Sequence, residues 1–348
     1  MAVADEPGVR RAGWRRARYP LAVLSLLSLL VVVWGGGYLL TPAPLPAGKT
    51  ATVIIPKGSS LKQITTLLAD ASLIGHGIGE RFSFLILAKL SRRAHHLPAG
   101  EFSLPGGQRP LALLNALATA KPLFHTVTLP EGLTAAEMAG ILARDGWCDQ
   151  AEYLRLTTDA AFIGKLGFAG SPSLEGYLYP DTYHLSKITG AEGLIAMQTR
   201  RFQEVWKALG GDGLDAEARR RTVTLASLVE KETALPAERP LVAGVFANRL
   251  RLGMPLQSDP TVLYGVSAAP RPITRADLER STPYNTYVIA GLPAGPIANP
   301  GKAALAAALN PAKTDYLYFV AKNDGSHQFS TTLEEHNAAV RQYQRRSK

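Results

Sequence analysis

The strongest pattern in the chain is an apolar run from Tyr19 to Leu40 that contains no charged residue. It is about as long as the roughly 20 residues a helix needs to cross a bilayer. Beyond it the apolar positions become periodic. Val53-Ile54-Ile55 leads through the turn Pro56-Lys57-Gly58 and Ser59-Ser60 to Ile64, Leu67, Leu68 and Ala69. The same signals return at Val127-Thr128-Leu129, Pro130-Glu131-Gly132, Leu133-Thr134 and then Met138, Ile141, Leu142 and Ala143. Each copy predicts a strand, a Pro-x-Gly turn, a Ser/Thr helix cap and an amphipathic helix. Between the copies, Leu97 to Leu104 predicts a further strand with a turn.

Downstream the pattern predicts helices from about Gln198 to Leu209, from Asp215 to Thr233, and from Glu238 to Leu252, the last closed by Gly253. Tyr316 to Ala321 and Gln328 to Ser330 read as strands about an Asn323-Asp324-Gly325 turn, and a polar helix ends the chain. Without regular βα alternation this order predicts an α+β fold. The Pro-rich stretch from Thr41 to Gly48 reads as a stiff spacer. Glu175 to Tyr183 places three tyrosines and two carboxylates in a segment that Pro180 keeps from being a regular helix. Those tyrosines are either a sugar-stacking cleft wall or half-buried residues of an edge strand.

Composition narrows the setting. A chain of 348 residues with 46% hydrophobic content can build two or three compact units. Its net charge of +10 is concentrated in part at Arg10, Arg11, Arg15, Arg16 and Arg18, directly before the apolar run. Small residues after the run would also suit signal-peptide cleavage, but the run is long for that role. An uncleaved anchor follows, with its N-terminus cytoplasmic and everything after Leu40 exported. Export removes nucleic acid as a partner, and a basic exported domain suits an acidic polymer such as a cell-wall glycan. The lone cysteine, Cys148, excludes an intrachain disulfide and four-cysteine zinc sites. No HExxH, P-loop or GxGxxG motif is present, so neither metal nor cofactor is expected.

The chemistry concentrates in Leu225-Ala226-Ser227-Leu228-Val229-Glu230-Lys231-Glu232-Thr233. A carboxylate beside a buried stripe is costly unless paired, capped or used in chemistry. At 100° per residue Glu230 and Glu232 point about 160° apart, so they cannot flank one bond together. Glu230 shares its face with the small residues Ala226 and Ser227, which leaves room for a substrate; Glu232 lies among Leu225, Leu228 and Val229, as a packing residue would. Glu230 is therefore the expected working carboxyl, with an ordinary surface ion pair as the alternative. A single carboxyl suffices for glycan cleavage if the substrate supplies its own nucleophile, whereas ordinary glycosidases use two.

The runs Ala226 to Thr233, Val245-Phe246-Ala247-Asn248-Arg249-Leu250, Leu256 to Gly265, Tyr284-Asn285-Thr286-Tyr287, Gly291 to Gly301 and Tyr316 to Val320 occur in an order and spacing that resembles the endolytic murein transglycosylases of the MltG/YceG-like family. The likeness runs from the anchor to about Gln342. One departure is Ala294, where the family commonly has a second proline. The resemblance implies an α+β protein of the inner membrane with a periplasmic catalytic domain. Its parts would be a basic tail (1–18), a transmembrane helix (19–40), a linker (41–48), a LysM-like subdomain (49–122) and the catalytic domain (123–342). It implies cutting between N-acetylmuramic acid and N-acetylglucosamine within peptidoglycan strands, with 1,6-anhydro ends and Glu230 as catalytic residue. Peptidoglycan synthases are the implied partners. Gln257, Asp259, Asn285, Tyr287 and Asn299 are candidate substrate-binding groups on loops, each of which would otherwise stabilise a turn. His327, next to a Gly turn, is either a general acid or a plain surface residue, and with no Ser or Cys nucleophile motif nearby it reads as surface. The rival readings are a membrane-anchored glycan-binding scaffold and a hydrolytic muramidase using a second carboxylate such as Asp259.

Overall fold

The structure is a computed structural model that describes residues 12–91, 97–266 and 271–344. Arg10 and Arg11 of the basic tail lie outside the described residues. The architecture is mixed α+β, and the chain divides into two compact units between Phe124 and His125, with Ser186–Ile188 grouped with the first.

The first unit contains α1 (Ala12–Leu40), β1 (Thr50–Ile55), α2 (Leu61–Asp70), α3 (Ile78–Leu90), β2 (Gly100–Pro105) and α4 (Pro110–Thr119). Within α1, Ala22–Leu40 is long and apolar enough to cross a membrane, and none of it is buried in the protein. Strands β1 and β2 pair antiparallel with Val53 opposite Phe102. Their inward side chains meet Ile64, Leu68, Phe84, Leu113 and Leu117 in one core. Helix α2 starts at Ser60 because its hydroxyl accepts the Gln63 N–H while the Gln63 side chain accepts the Ser60 N–H at 2.7 Å. The Pro-rich stretch does not stand free as a spacer. Its backbone is tied into the unit, the Ala43 N–H donating to the Gln108 carbonyl and the Leu45 N–H to the Ser72 carbonyl, both at 2.8 Å. The missing amide hydrogens of Pro42, Pro44 and Pro46 leave Ala43 and Leu45 as the donors in between.

The second unit opens with β3 (His125–Thr128), α5 (Ala135–Arg144), α6 (Gln150–Thr158), α7 (Ala160–Lys165) and β4 (Thr182–Leu185). Here β3 and β4 pair antiparallel, with Val127 opposite Tyr183, and Thr134 with Glu137 forms the capping box of α5. Both copies of the sequence repeat thus grow into a strand, its helices and a returning antiparallel strand. The chain continues through α8 (Gly190–Ala208), α9 (Ala216–Glu232), α10 (Arg239–Arg251), α11 (Pro260–Leu263), α12 (Arg275–Leu278), α13 (Lys302–Leu309), the hairpin β5 (Tyr318–Ala321) and β6 (His327–Ser330), and α14 (Leu333–Tyr343). Helix α8 begins well before the predicted Gln198 because Gly190 and Gly193 hide its first turns from a propensity reading. Helix α9 keeps its predicted ends: Asp215 caps it by accepting the Ala218 N–H at 2.8 Å, and Thr233 leaves helical geometry.

The tyrosines of the 175–183 segment form no cleft wall. Tyr177, Tyr179 and Tyr183 are buried, Tyr177 standing edge-on to Phe202 at 5.1 Å, and the Tyr183 hydroxyl donating to the Tyr179 carbonyl at 2.6 Å. Gly176 makes this possible: at φ +86°, a Cβ there would lie 2.6 Å from the Pro296 ring and 2.8 Å from Val223. Left-handed strain and overpacking together predict that Gly176→Ala costs about 2–4 kcal/mol. Thermal denaturation measures this, and an unchanged melting temperature would mean that the Pro296 loop yields freely.

Candidate active site

Helix α9 is the spine of the site, buried from Val223 to Val229, and its last turn puts two carboxylates on opposite sides. The Glu230 side is covered by backbone. Arg220 donates to the Ala294 carbonyl at 2.9 Å, Ser227 accepts the Ile297 N–H at 3.1 Å, and Glu230 Oε2 accepts the Gly301 N–H at 2.9 Å. Three positions of α9 therefore hold the 294–301 loop, and the small residues beside Glu230 make room for that loop. Glu230 Oε1 accepts from Arg239 Nη2 at 2.8 Å, and the two side chains are 5% and 9% exposed. Glu131, from the Pro130-Glu131-Gly132 turn, lies 3.7 Å from the same guanidinium. Burial raises the Glu230 pKa, while the Gly301 hydrogen bond and the Arg239 charge oppose it.

Glu232 faces another environment. The Ser258 hydroxyl donates to its Oε1. Burial pushes its pKa up to about 7, Ser258 opposes this, the nearby Asp259 adds to it, and the charges of His327 and Arg249 weaken it from a distance. Burial thus favours the protonated form of Glu232, and among the described residues no ion-pair partner touches it. Its surroundings come from several elements. The loop before α11 carries Gln257, Ser258 and Asp259; its Ser258 N–H donates to Thr286 Oγ1 at 2.9 Å, and Gln257 sits at φ +53°, where non-glycine residues are rare. The buried Arg249 of α10 holds this loop, donating to the Leu256 carbonyl at 2.9 Å and reaching Gln257 Oε1 at 3.5 Å. Tyr287 donates to Asp259 Oδ1 at 2.6 Å. Beside the end of α9, Glu238 accepts from His327 Nδ1 at 2.7 Å and from the Thr233 hydroxyl at 3.2 Å. Half-sealed between these partners, His327 is not the plain surface residue expected from the sequence.

Of the predicted binding residues, Gln257, Asp259 and Tyr287 gather on the Glu232 side. Asn285 and Asn299 do not. Asn285 is fully buried, its Nδ2 donating to the carbonyls of Asp277, Leu278 and Arg280. Asn299, also fully buried, accepts from the Gly176 and Leu178 N–H groups and donates to the Leu133 carbonyl and to Glu175. Both spend their polar atoms on the protein, so they position loops and have none left for sugar. Sequence reasoning missed Ser258, Arg249 and Glu238; Ser258 and Arg249 stood inside recognised motifs, but the signal for Glu238 is only its distant partner His327. Among the described residues no group of three His, Cys, Asp or Glu side chains is arranged to hold a metal ion.

A third carboxyl with a burial-raised pKa, Glu175, is hydrogen-bonded to Asn299 of the 294–301 loop. Glu175 accepts from the Ala135 N–H, Asn299 Nδ2 at 2.8 Å and the Tyr264 hydroxyl at 3.0 Å, yet burial pushes its pKa up to about 7. A carboxyl that binds its proton more tightly folded than unfolded stabilises the fold at low pH, and that contribution is lost as pH rises from about 4.5 to about 7. For Glu175 the loss is on the order of 3 kcal/mol. Chemical denaturation from about pH 5 to about pH 8 should show stability falling, and falling less in Glu175→Gln. A pH-independent difference between the two proteins would remove this account.

Comparison with known proteins places these residues in a wider group. The model of the YceG-like family matches residues 53–342. An endolytic murein transglycosylase of Bacillus subtilis is 34% identical, covering 88% of this chain and 89% of the relative. An endolytic murein transglycosylase of Streptococcus pneumoniae is 31% identical over 92% of this chain and 65% of its own length. A crystal structure of a yceG-like protein from Listeria monocytogenes superposes with a TM-score of 0.55 at 32% identity, covering 83% of this chain and 98% of that one.

Proposed function

The chain belongs to the YceG-like family, and from that membership we propose that it is a membrane-anchored enzyme that cleaves peptidoglycan glycan strands internally. The apolar helix Ala22–Leu40 is its anchor, the one such span among the described residues. On the finer points, the N-terminus is cytoplasmic, the membrane is the inner one and the catalytic unit is periplasmic. The bond cut is that between N-acetylmuramic acid and N-acetylglucosamine, and the product is a 1,6-anhydro end. Cutting of nascent strands beside a synthase ends their elongation. Glycan gripping by the first unit belongs to the same reading.

The observation that carries the chemistry is the setting of Glu232: the Ser258 hydroxyl donates to its Oε1, the polar 257–259 loop stands beside it, and burial pushes its pKa up to about 7. We assign the catalytic role to Glu232 in preference to Glu230, whose two oxygens are taken by Arg239 and Gly301. Because Ser258 donates to Oε1, the transferable proton sits on Oε2. Glu232 gives that proton to the glycosidic oxygen as the C1–O bond breaks. The resulting carboxylate then takes the proton of the muramyl C6 hydroxyl as its oxygen bonds to C1, so no water is consumed and the carboxyl returns to its starting state. Gln257 and the Asp259–Tyr287 pair supply hydrogen-bonding groups for the sugars.

Asp259 also keeps hydrolysis in view as a second reading, because it puts a second carboxylate near the acid. Purified full-length protein acting on uncrosslinked glycan strands separates the readings. Anhydro ends are expected, reducing ends would mean hydrolysis, and binding without cleavage would leave a scaffold. The acid form is required, so cleavage should decline as pH rises through about 7. A rate flat up to about pH 9 would count against Glu232 as the acid.

A further inference from the structure

Helix α3 is apolar on two faces. One face, with Phe84 and Ala88, is sealed in the core of the first unit. On the other, Ile78, Phe82, Ile86 and Leu90 are 91%, 57%, 40% and 78% exposed. At 100° per residue these four fall within an arc of about 120°, interrupted only by Lys89 near one edge. A soluble surface rarely leaves so continuous a stripe open, and a helix apolar on two sides is one that buries both.

Two observations identify what covers it. Gly79 lies within the same arc, and a Cβ built there would be 3.2 Å from the Trp34 ring of α1, so the stripe is on the side where the membrane-spanning helix stands. Trp34 is six residues before the end of the Ala22–Leu40 span, which is about 9 Å into it at 1.5 Å per residue. The start of α3 is therefore level with the outer part of the bilayer. The stretch joining α1 to the unit is also tied down, Ala43 to Gln108, Leu45 to Ser72 and the Gly107 N–H to the Leu45 carbonyl. Thus α3 cannot drift far from the span.

We infer that α3 is an in-plane membrane helix whose Ile78, Phe82, Ile86 and Leu90 side chains enter the interfacial layer of the bilayer that α1 crosses. Lys89, at the edge of the stripe, reaches up to the headgroups by its long stem. The first unit is then held flat on the membrane by two elements, where one flexible tether would let it swing. This inference rests on α1 being a membrane span.

The test uses the full chain with Cys148→Ala, carrying one added cysteine at a time: Phe82→Cys, Leu90→Cys, Val32→Cys inside the span, and Lys62→Cys on an exposed site of α2. Each is labelled with an environment-sensitive fluorophore and reconstituted into phosphatidylcholine/phosphatidylglycerol vesicles. Labels at 82 and 90 should show blue-shifted emission, strong loss of fluorescence to lipid-borne nitroxide and protection from aqueous iodide, as at 32 and unlike 62. If 32 is quenched by the lipid nitroxide but 82 and 90 behave like 62, the inference fails while the anchor stands. If 32 also behaves like 62, the anchor and the inference fail together. Protection from iodide at 82 and 90 without lipid quenching would mean that a second copy of the chain covers the stripe, which also overturns the inference.

Discussion

Glu232→Gln is expected to keep the fold and lose cleavage, lowering kcat by about a hundred- to ten-thousand-fold, the range that a positioned general acid supplies. The amide oxygen still accepts the Ser258 hydroxyl, so the loop before α11 has no reason to move. What disappears is the proton that burial keeps on the carboxyl up to about pH 7. The same substitution removes the cost of ionising a buried group. Above pH 7 the variant should therefore be more stable than the parent, by on the order of 1–3 kcal/mol. Loss of activity with gain of stability is the signature of a residue kept for chemistry against the interest of the fold. Counting released strand ends, with thermal melts at about pH 6 and about pH 8, gives both readouts. A variant that retains near-parental kcat would remove Glu232 from the mechanism.

The sequence made much of this helix readable, and the reasons are local. Asp215 marks where α9 starts, Thr233 where it ends, and the apolar stripe between them sets the face it buries. The opposed directions of Glu230 and Glu232 follow from helix geometry alone. Which of the two we assign to catalysis does not, because that assignment rests on a loop some seventy residues away. The space beside Ala226 and Ser227 is filled by the 294–301 backbone, a choice that no property of α9 encodes. The asparagines failed as predicted ligands for a related reason. Asn285 and Asn299 stand in loops, where polar residues point to function, but their loops are buried and need internal donors and acceptors in place of water. The tyrosines near Pro180 went the same way once Gly176 let their segment fold back onto Phe202.

The complementary prediction concerns Glu230. Glu230→Ala should destabilise the protein by about 3–5 kcal/mol, because it leaves Arg239 buried without its partner. Glu131, 3.7 Å from the same guanidinium and 45% exposed, offsets only part of that loss. The Gly301 N–H would lose its acceptor as well, loosening the start of α13. Replacing both members of the pair, Glu230→Ala with Arg239→Met, should recover part of the loss, since the uncompensated charge is then gone. Denaturant titration of the two single variants and the double variant measures the coupling. The fraction that remains folded in Glu230→Ala should still cleave glycan within about tenfold of the parent rate, far above Glu232→Gln. If instead Glu230→Ala melts like the parent and releases no strand ends, the acid is Glu230, and the loop that covers it must open for the substrate to enter.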